Sequence, residues 1–92
     1  MSMVINVDSS WTSADLADGI YQFSCLLTPL TGNAISVFIL ALRNGRSQTS
    51  AAIDISQNFS SYWELDITES YLKPKSIGSA TRTLSIHKIG EV

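Results

Sequence analysis

Ala34-Ile35-Ser36-Val37-Phe38-Ile39-Leu40-Ala41-Leu42-Arg43-Asn44-Gly45-Arg46 is the stretch that decides the fold. Successive side chains of an extended chain point to opposite sides, so Ile35, Val37 and Ile39 share one face and Phe38, Leu40 and Leu42 the other. Aromatic and β-branched residues favour that conformation. A strand apolar on both faces is central, either covered on each side or placed where two subunits meet. Asn44-Gly45 then ends it. Both residues tolerate positive φ, as a two-residue type I′ turn requires, so the pair predicts a hairpin with its second strand from Arg46 to about Ile55. In that strand Ala51, Ile53 and Ile55 are expected inward, with Ala52 and Asp54 outward.

Period-2 alternation continues on either side of the hairpin. Tyr21, Phe23, Cys25 and Leu27 share a face, and Pro29 with Thr31-Gly32-Asn33 ends that strand. Residues 9–19 read as a loop holding one helical turn that starts at Ser13 and stops at Gly19. Before it, Met3, Ile5 and Val7 form a short strand over residues 1–8, an edge strand or arm. Downstream, Gln57-Asn58-Phe59-Ser60 reads as a turn. Tyr62 to Thr68 alternates, with Trp63, Leu65 and Ile67 buried and Tyr62, Glu64, Asp66 and Thr68 outside. Pro74 and Gly78 mark Lys73 to Ala80 as a loop, and Arg82 to Ile89 closes the fold with Leu84 and Ile86 inward. The expectation is one all-β domain over residues 1–92, an antiparallel β-sandwich, with Phe23, Phe38, Trp63, Leu65 and Leu84 in its core.

Composition narrows the partners. Charged residues are 15% of the chain, against about 25% in an average soluble domain. The hydrophobic class reaches 45%, which argues against disorder. A net charge of −2 supplies no basic field for a phosphate backbone, so nucleic acid is not expected as a partner. In place of charge the chain carries 15 Ser and 7 Thr. Such a wettable, weakly self-repelling surface suits exposed β-strands, contact with sugars, or crowded assemblies. The apolar run Val37 to Leu42 is far shorter than the roughly 20 residues that span a bilayer, and the N-terminus does not read as a secretory signal. The opening Met suggests a complete small gene product.

Candidate chemistry is sparse. A single cysteine, Cys25, excludes an internal disulfide, and its place beside Phe23 reads as a small buried hydrophobe. With His87 as the one histidine, a Cys–His dyad has no local motif behind it. Structural zinc wants about four Cys or His ligands, and no metal or cofactor is expected. Glu64 and Asp66 sit two apart on one strand face, a spacing open to acid–base work on glycosides; Glu69 could join them around calcium. The bland reading is a solvated face opposite Trp63. Trp11, Tyr62 and Tyr71 are the candidate binding aromatics, placed to stack on a sugar ring or a partner, or else to cap the sandwich. Met3, Ile5 and Val7 are the candidate assembly residues, able to add to the edge of a neighbour's sheet.

The order Tyr21-Gln22-Phe23-Ser24, the apolar strand Ile35 to Leu42, a glycine turn, the Ser/Thr-rich Ser47 to Ile55, the aromatic Phe59 to Thr68 and the terminal Leu84-Ser85-Ile86 resembles a known pattern. It is similar to the jelly-roll sandwich of carbohydrate-binding-module-like domains, which also recur in phage tail and capsid proteins. The likeness covers roughly residues 18 to 90. Where those domains place a Trp at the start of the aromatic strand this chain has Ser60, so the architecture carries over and their binding aromatics do not. Together these features lead us to expect a non-enzymatic structural protein of a virus particle, made in the host cytoplasm and located in the virion as a capsid decoration or small tail component. Its partners would be other virion proteins and copies of itself, with no membrane. The alternative is a carbohydrate-binding module with a glycan partner.

Overall fold

Alternation builds the large sheet. A computed structural model describes residues 2–28, 36–75 and 81–92. Eight strands follow in chain order: β1 (Ser2–Val7), β2 (Gly19–Thr28), β3 (Ser36–Arg43), β4 (Arg46–Ser47), β5 (Ile53–Asp54), β6 (Trp63–Leu65), β7 (Leu72–Pro74) and β8 (Thr81–Gly90). The large sheet runs β1-β8-β2-β3-β4, with β5 also on β3, and every pairing is antiparallel. Val7, Tyr21, Phe23, Cys25, Phe38, Leu40, Leu42, Leu84 and Ile86 are buried on one face. The period of two does this sorting, because a slip of one residue would turn each set to water.

A smaller layer covers that face. The hairpin β6-β7, the short helix α1 (Phe59–Tyr62) and a 3-10 turn at Ser13–Asp15 make it up. The fold is therefore an all-β antiparallel sandwich of unequal layers. Trp63 is its plug: it is fully buried, 5.8 Å from Phe38 between ring centroids and edge-on to Trp11 at 6.2 Å. Phe38 in turn stacks on Phe23 at 5.1 Å and meets Phe59 edge-on at 4.7 Å. Offset and edge-on aromatic pairs each add about 0.5–1.5 kcal/mol beyond the area they bury.

The Asn44-Gly45 hairpin forms as expected, with φ of 54° and 77°. Its tip is held from several sides. Ser13, fully buried, donates from Oγ to the Gly45 carbonyl at 2.6 Å and accepts from the Leu72 N–H at 2.9 Å. The Asn44 N–H reaches Asp18 Oδ1 at 2.8 Å. One serine thus ties together the first loop, the hairpin tip and β7.

Several expectations are corrected. The strand from Arg46 to Ile55 is two short pieces, β4 and β5, with residues 48–52 between them. Its faces are reversed as well: Ile53 and Ile55 are exposed. Asp54 turns inward because its carboxylate accepts the N–H groups of Asn58 and Phe59 as α1 begins, and period 2 then throws both isoleucines out. The strand Tyr62 to Thr68 is only Trp63–Leu65. Tyr62 ends α1, and Asp66 starts a tight turn, with Oδ1 accepting from the N–H groups of Thr68, Glu69 and Ser70. Such Asx turns break alternation, so Ile67 at the tip is fully exposed instead of buried. Lys73 and Pro74, at the start of the expected loop, belong to strand β7; it is paired through β6 alone, so Pro74 removes no ladder bond that another strand needs. Finally, of the two readings of residues 1–8, β1 is the edge strand and not a detached arm. Its six residues pair with β8 without a register break, Val7 is fully buried, and Met3 and Ile5 pack against the core. The Thr31-Gly32-Asn33 turn, Ile35, the Leu27 side chain and Gly78 lie outside the described residues.

Candidate functional site

The three candidate aromatics do not converge. Trp11 folds back edge-on against Trp63 and packs on the core. Tyr62, also packed there, has the Arg82 guanidinium 5.4 Å from its ring centroid, and its carbonyl accepts from the Lys75 N–H. Tyr71 lies at the other end of the small sheet, where its carbonyl accepts from the Asp66 N–H and Arg46 sits 5.3 Å from its ring. The length of β6, about 10 Å at 3.3 Å per residue, separates the two tyrosines.

The acidic residues are engaged. Glu64 pairs with Lys73 at 3.3 Å across the β6-β7 hairpin, and Glu69 accepts from Arg46 Nε at 2.9 Å and from its NH2 group. The backbone N–H of Glu69, followed by those of Ser70 and Thr68 and the Thr68 hydroxyl, holds the Asp66 carboxyl below its ordinary value. Among the described residues no three Cys, His, Asp or Glu side chains gather to hold a metal. Cys25 is buried on the inner face, and burial pushes its thiol up despite the nearby Arg82. His87 is on the outer face, with Nδ1 2.5 Å from Ser2 Oγ. The sheet itself stands between the two.

Arg82 is the inner face's surprise. It is 5% exposed, lies against both Tyr62 and Trp63, and donates to the Tyr62 carbonyl. Burial lowers its pKa, and among the described residues no carboxylate pairs with it. Its parity with Leu84 and Ile86 was the available signal.

The outer face of the large sheet has a different character. One row across the strands runs Ser2, His87, Gln22, Ile39 and Ile53; the next runs Val4, Ser85, Ser24 and Val37. Neither row contains Asp, Glu, Lys or Arg. Its aliphatic members cluster at the sheet margins: Ile39 pairs with Ile53, which is 65% exposed; Ile55, two residues on, is 54% exposed; and Val4 at the far edge is 69% exposed. The face is about 20 Å wide at the usual strand spacing. Two grooves of about 390 Å³ flank Leu65 on the smaller layer. Their acids are Asp54, which caps α1, and the engaged Glu64 and Asp66, so neither groove presents a free carboxylate.

Comparison of the chain with protein-family models, with curated proteins and with solved structures finds no match. The outer strip was half legible, in the second apolar face of Val37 and Ile39. Ile53 and Ile55 were missed; the signal for them was Asp54 placed five residues before Phe59, where a helical turn starts.

Proposed function

We propose that this chain is a structural component of a virus particle, a capsid decoration or small tail protein, and that it works by contact rather than by chemistry. The observation that carries this reading is the pair of uncharged rows on the outer face, with their strip of Val37, Ile39, Ile53 and Ile55. A sheet face left to water usually carries charged side chains, and a contiguous apolar patch on a small domain marks an interaction surface. Ser2, Gln22, Ser24, Ser85 and His87 are the polar members of those rows, so they can lie on another protein surface with little desolvation of charge. Among the described residues no constellation supports enzymatic activity. The carbohydrate-binding reading is weakened by the dispersal of Trp11, Tyr62 and Tyr71, each already packed on the core or beneath an arginine.

Two measurements test the proposal. Mass spectra of density-banded virions from the source should contain peptides of this chain, and their absence would remove the virion assignment. In light scattering the isolated chain at high concentration should form species larger than a dimer. The double variant Ile53→Lys/Ile55→Lys should lose those species with its melting temperature unchanged, because both side chains are exposed. A chain that never forms them, and that binds a soluble glycan with affinity lost in Tyr62→Ala, would favour the carbohydrate-binding reading.

A further inference from the structure

The large sheet has two unlike margins. At one, β4 and β5 are two-residue pieces separated by residues 48–52, with α1 capped onto Asp54, which makes a stepped and interrupted edge. At the other, β1 is a six-residue strand with β8 on one side and, among the described residues, no strand on the other. Every second residue of an edge strand turns its N–H and C=O outward. Natural edges are blunted by charge, proline, bulges or extreme shortness. The sequence Ser2-Met3-Val4-Ile5-Asn6-Val7 has no charged residue and no proline, and its pairing with β8 has no register shift.

We propose that β1 binds β1 of a second copy of this chain, antiparallel about a two-fold axis, in the register that sets Val4 opposite Val4. Geometry selects this register. Both copies must keep their core faces on the same side, so inward residues must oppose inward ones and outward oppose outward. Full overlap, with Ser2 opposite Val7, fails because it sets outward Val4 against inward Ile5. The Val4-centred register pairs Ser2 with Asn6 and Val4 with Val4 on the outer face, and Met3 with Ile5 on the inner, so each meets its own chemistry. An Ile5-centred register obeys parity but sets exposed Val4 against Asn6 and presents Val7, already fully buried in its own core. The Val4-centred pair covers the 69% exposed Val4 and the part-exposed Met3 and Ile5 of both copies.

The ladder is about 17 Å long. It is therefore a small interface, of the reversible class that dissociates on dilution. This inference deepens the assembly reading but rests on a different surface, which lets the two fail separately.

Sedimentation velocity from roughly 10 µM to 1 mM should show a monomer–dimer equilibrium shifting with concentration. Val4→Lys and Val4→Glu should each stay monomeric with unchanged melting, since like charges directly opposed destabilise a pair. An equimolar mixture of the two should restore a dimer, because only the Val4-centred register sets one residue 4 against the other. Val4→Cys should cross-link under mild oxidation, as paired Cα atoms about 4.5–5.5 Å apart lie within disulfide reach; Asn6→Cys alone should not. A wild-type monomer at about 1 mM, a Val4→Lys dimer, or a monomeric mixture would overturn the pairing. Ile53→Lys/Ile55→Lys should leave this dimer intact, so its loss there would also count against the edge. A dimer without larger species would instead count against the outer-face reading alone.

Discussion

Replacing Gly45 by alanine tests the packing at the hairpin tip. In an isolated type I′ turn the substitution would cost only the left-handed backbone penalty, about 1–2 kcal/mol. Here a Cβ on Gly45, at φ +77°, would lie 2.6 Å from the Ser13 carbonyl oxygen and 2.7 Å from Ala14 Cα. Both are backbone atoms and cannot swing aside as a side chain does. The tip must move, which breaks the 2.6 Å bond from Ser13 Oγ to the Gly45 carbonyl and strands buried polar groups at about 1–3 kcal/mol. The expected loss for Gly45→Ala is therefore about 2–5 kcal/mol. For a domain of this size each kcal/mol moves the melting temperature by about 4–8 °C, so the variant should melt at least ~8 °C lower. Asn44→Ala, where the side chain is exposed, is the control and should lose only the backbone penalty. Urea titration with a constant m-value reads both. Equal losses in the two variants would show that the first loop does not clamp the hairpin.

Three further outcomes are expected. Trp63→Ala should lose about 3–5 kcal/mol, a large part of the ~5–14 kcal/mol available to a chain of this length, and should be largely unfolded at 37 °C by circular dichroism; a well-folded variant would mean Trp63 is not the plug. Arg82→Met should change stability by less than about 1 kcal/mol in urea titration, because relief from burying an unpaired charge offsets the lost cation–π and charged hydrogen bonds, whereas a loss above ~2 would show that those contacts win. Asp66 is depressed below its ordinary 3.8, so its contribution is present above that pH and lost as pH falls through the lower folded value; Asp66→Asn should flatten the fall in stability as pH drops below about 4, and an unchanged slope would contradict the turn.

Much of the large sheet could be read directly because its strands are long and half-buried. Tyr21-Phe23-Cys25, Phe38-Leu40-Leu42 and Leu84-Ile86 alternate under one rule, and Asn44-Gly45 needs positive φ at both positions. Short elements escaped because single hydrogen-bonding side chains set them. Asp54 reversed two isoleucines by capping a four-residue helix, and Asp66 ended β6 by folding a turn onto its own carboxylate. The proline that argued for a loop at Lys73-Pro74 sits where no further strand needs its missing N–H. The uncharged rows of the outer face were foreshadowed by the low charge content and by Val37 and Ile39. Its extension to Ile53 depends on the β3-β5 register, which alternation cannot fix across residues 48–52.

The central claim, assembly through uncharged contacts, is met most directly by sedimentation velocity of the unmodified chain over a wide concentration range at about 50 mM and about 1 M salt. Screening weakens contacts between charges and leaves apolar and main-chain ones. The account predicts association that grows with concentration and is undiminished at high salt. A single 10.0 kDa species under every condition, or oligomers dissolved by salt, would contradict it.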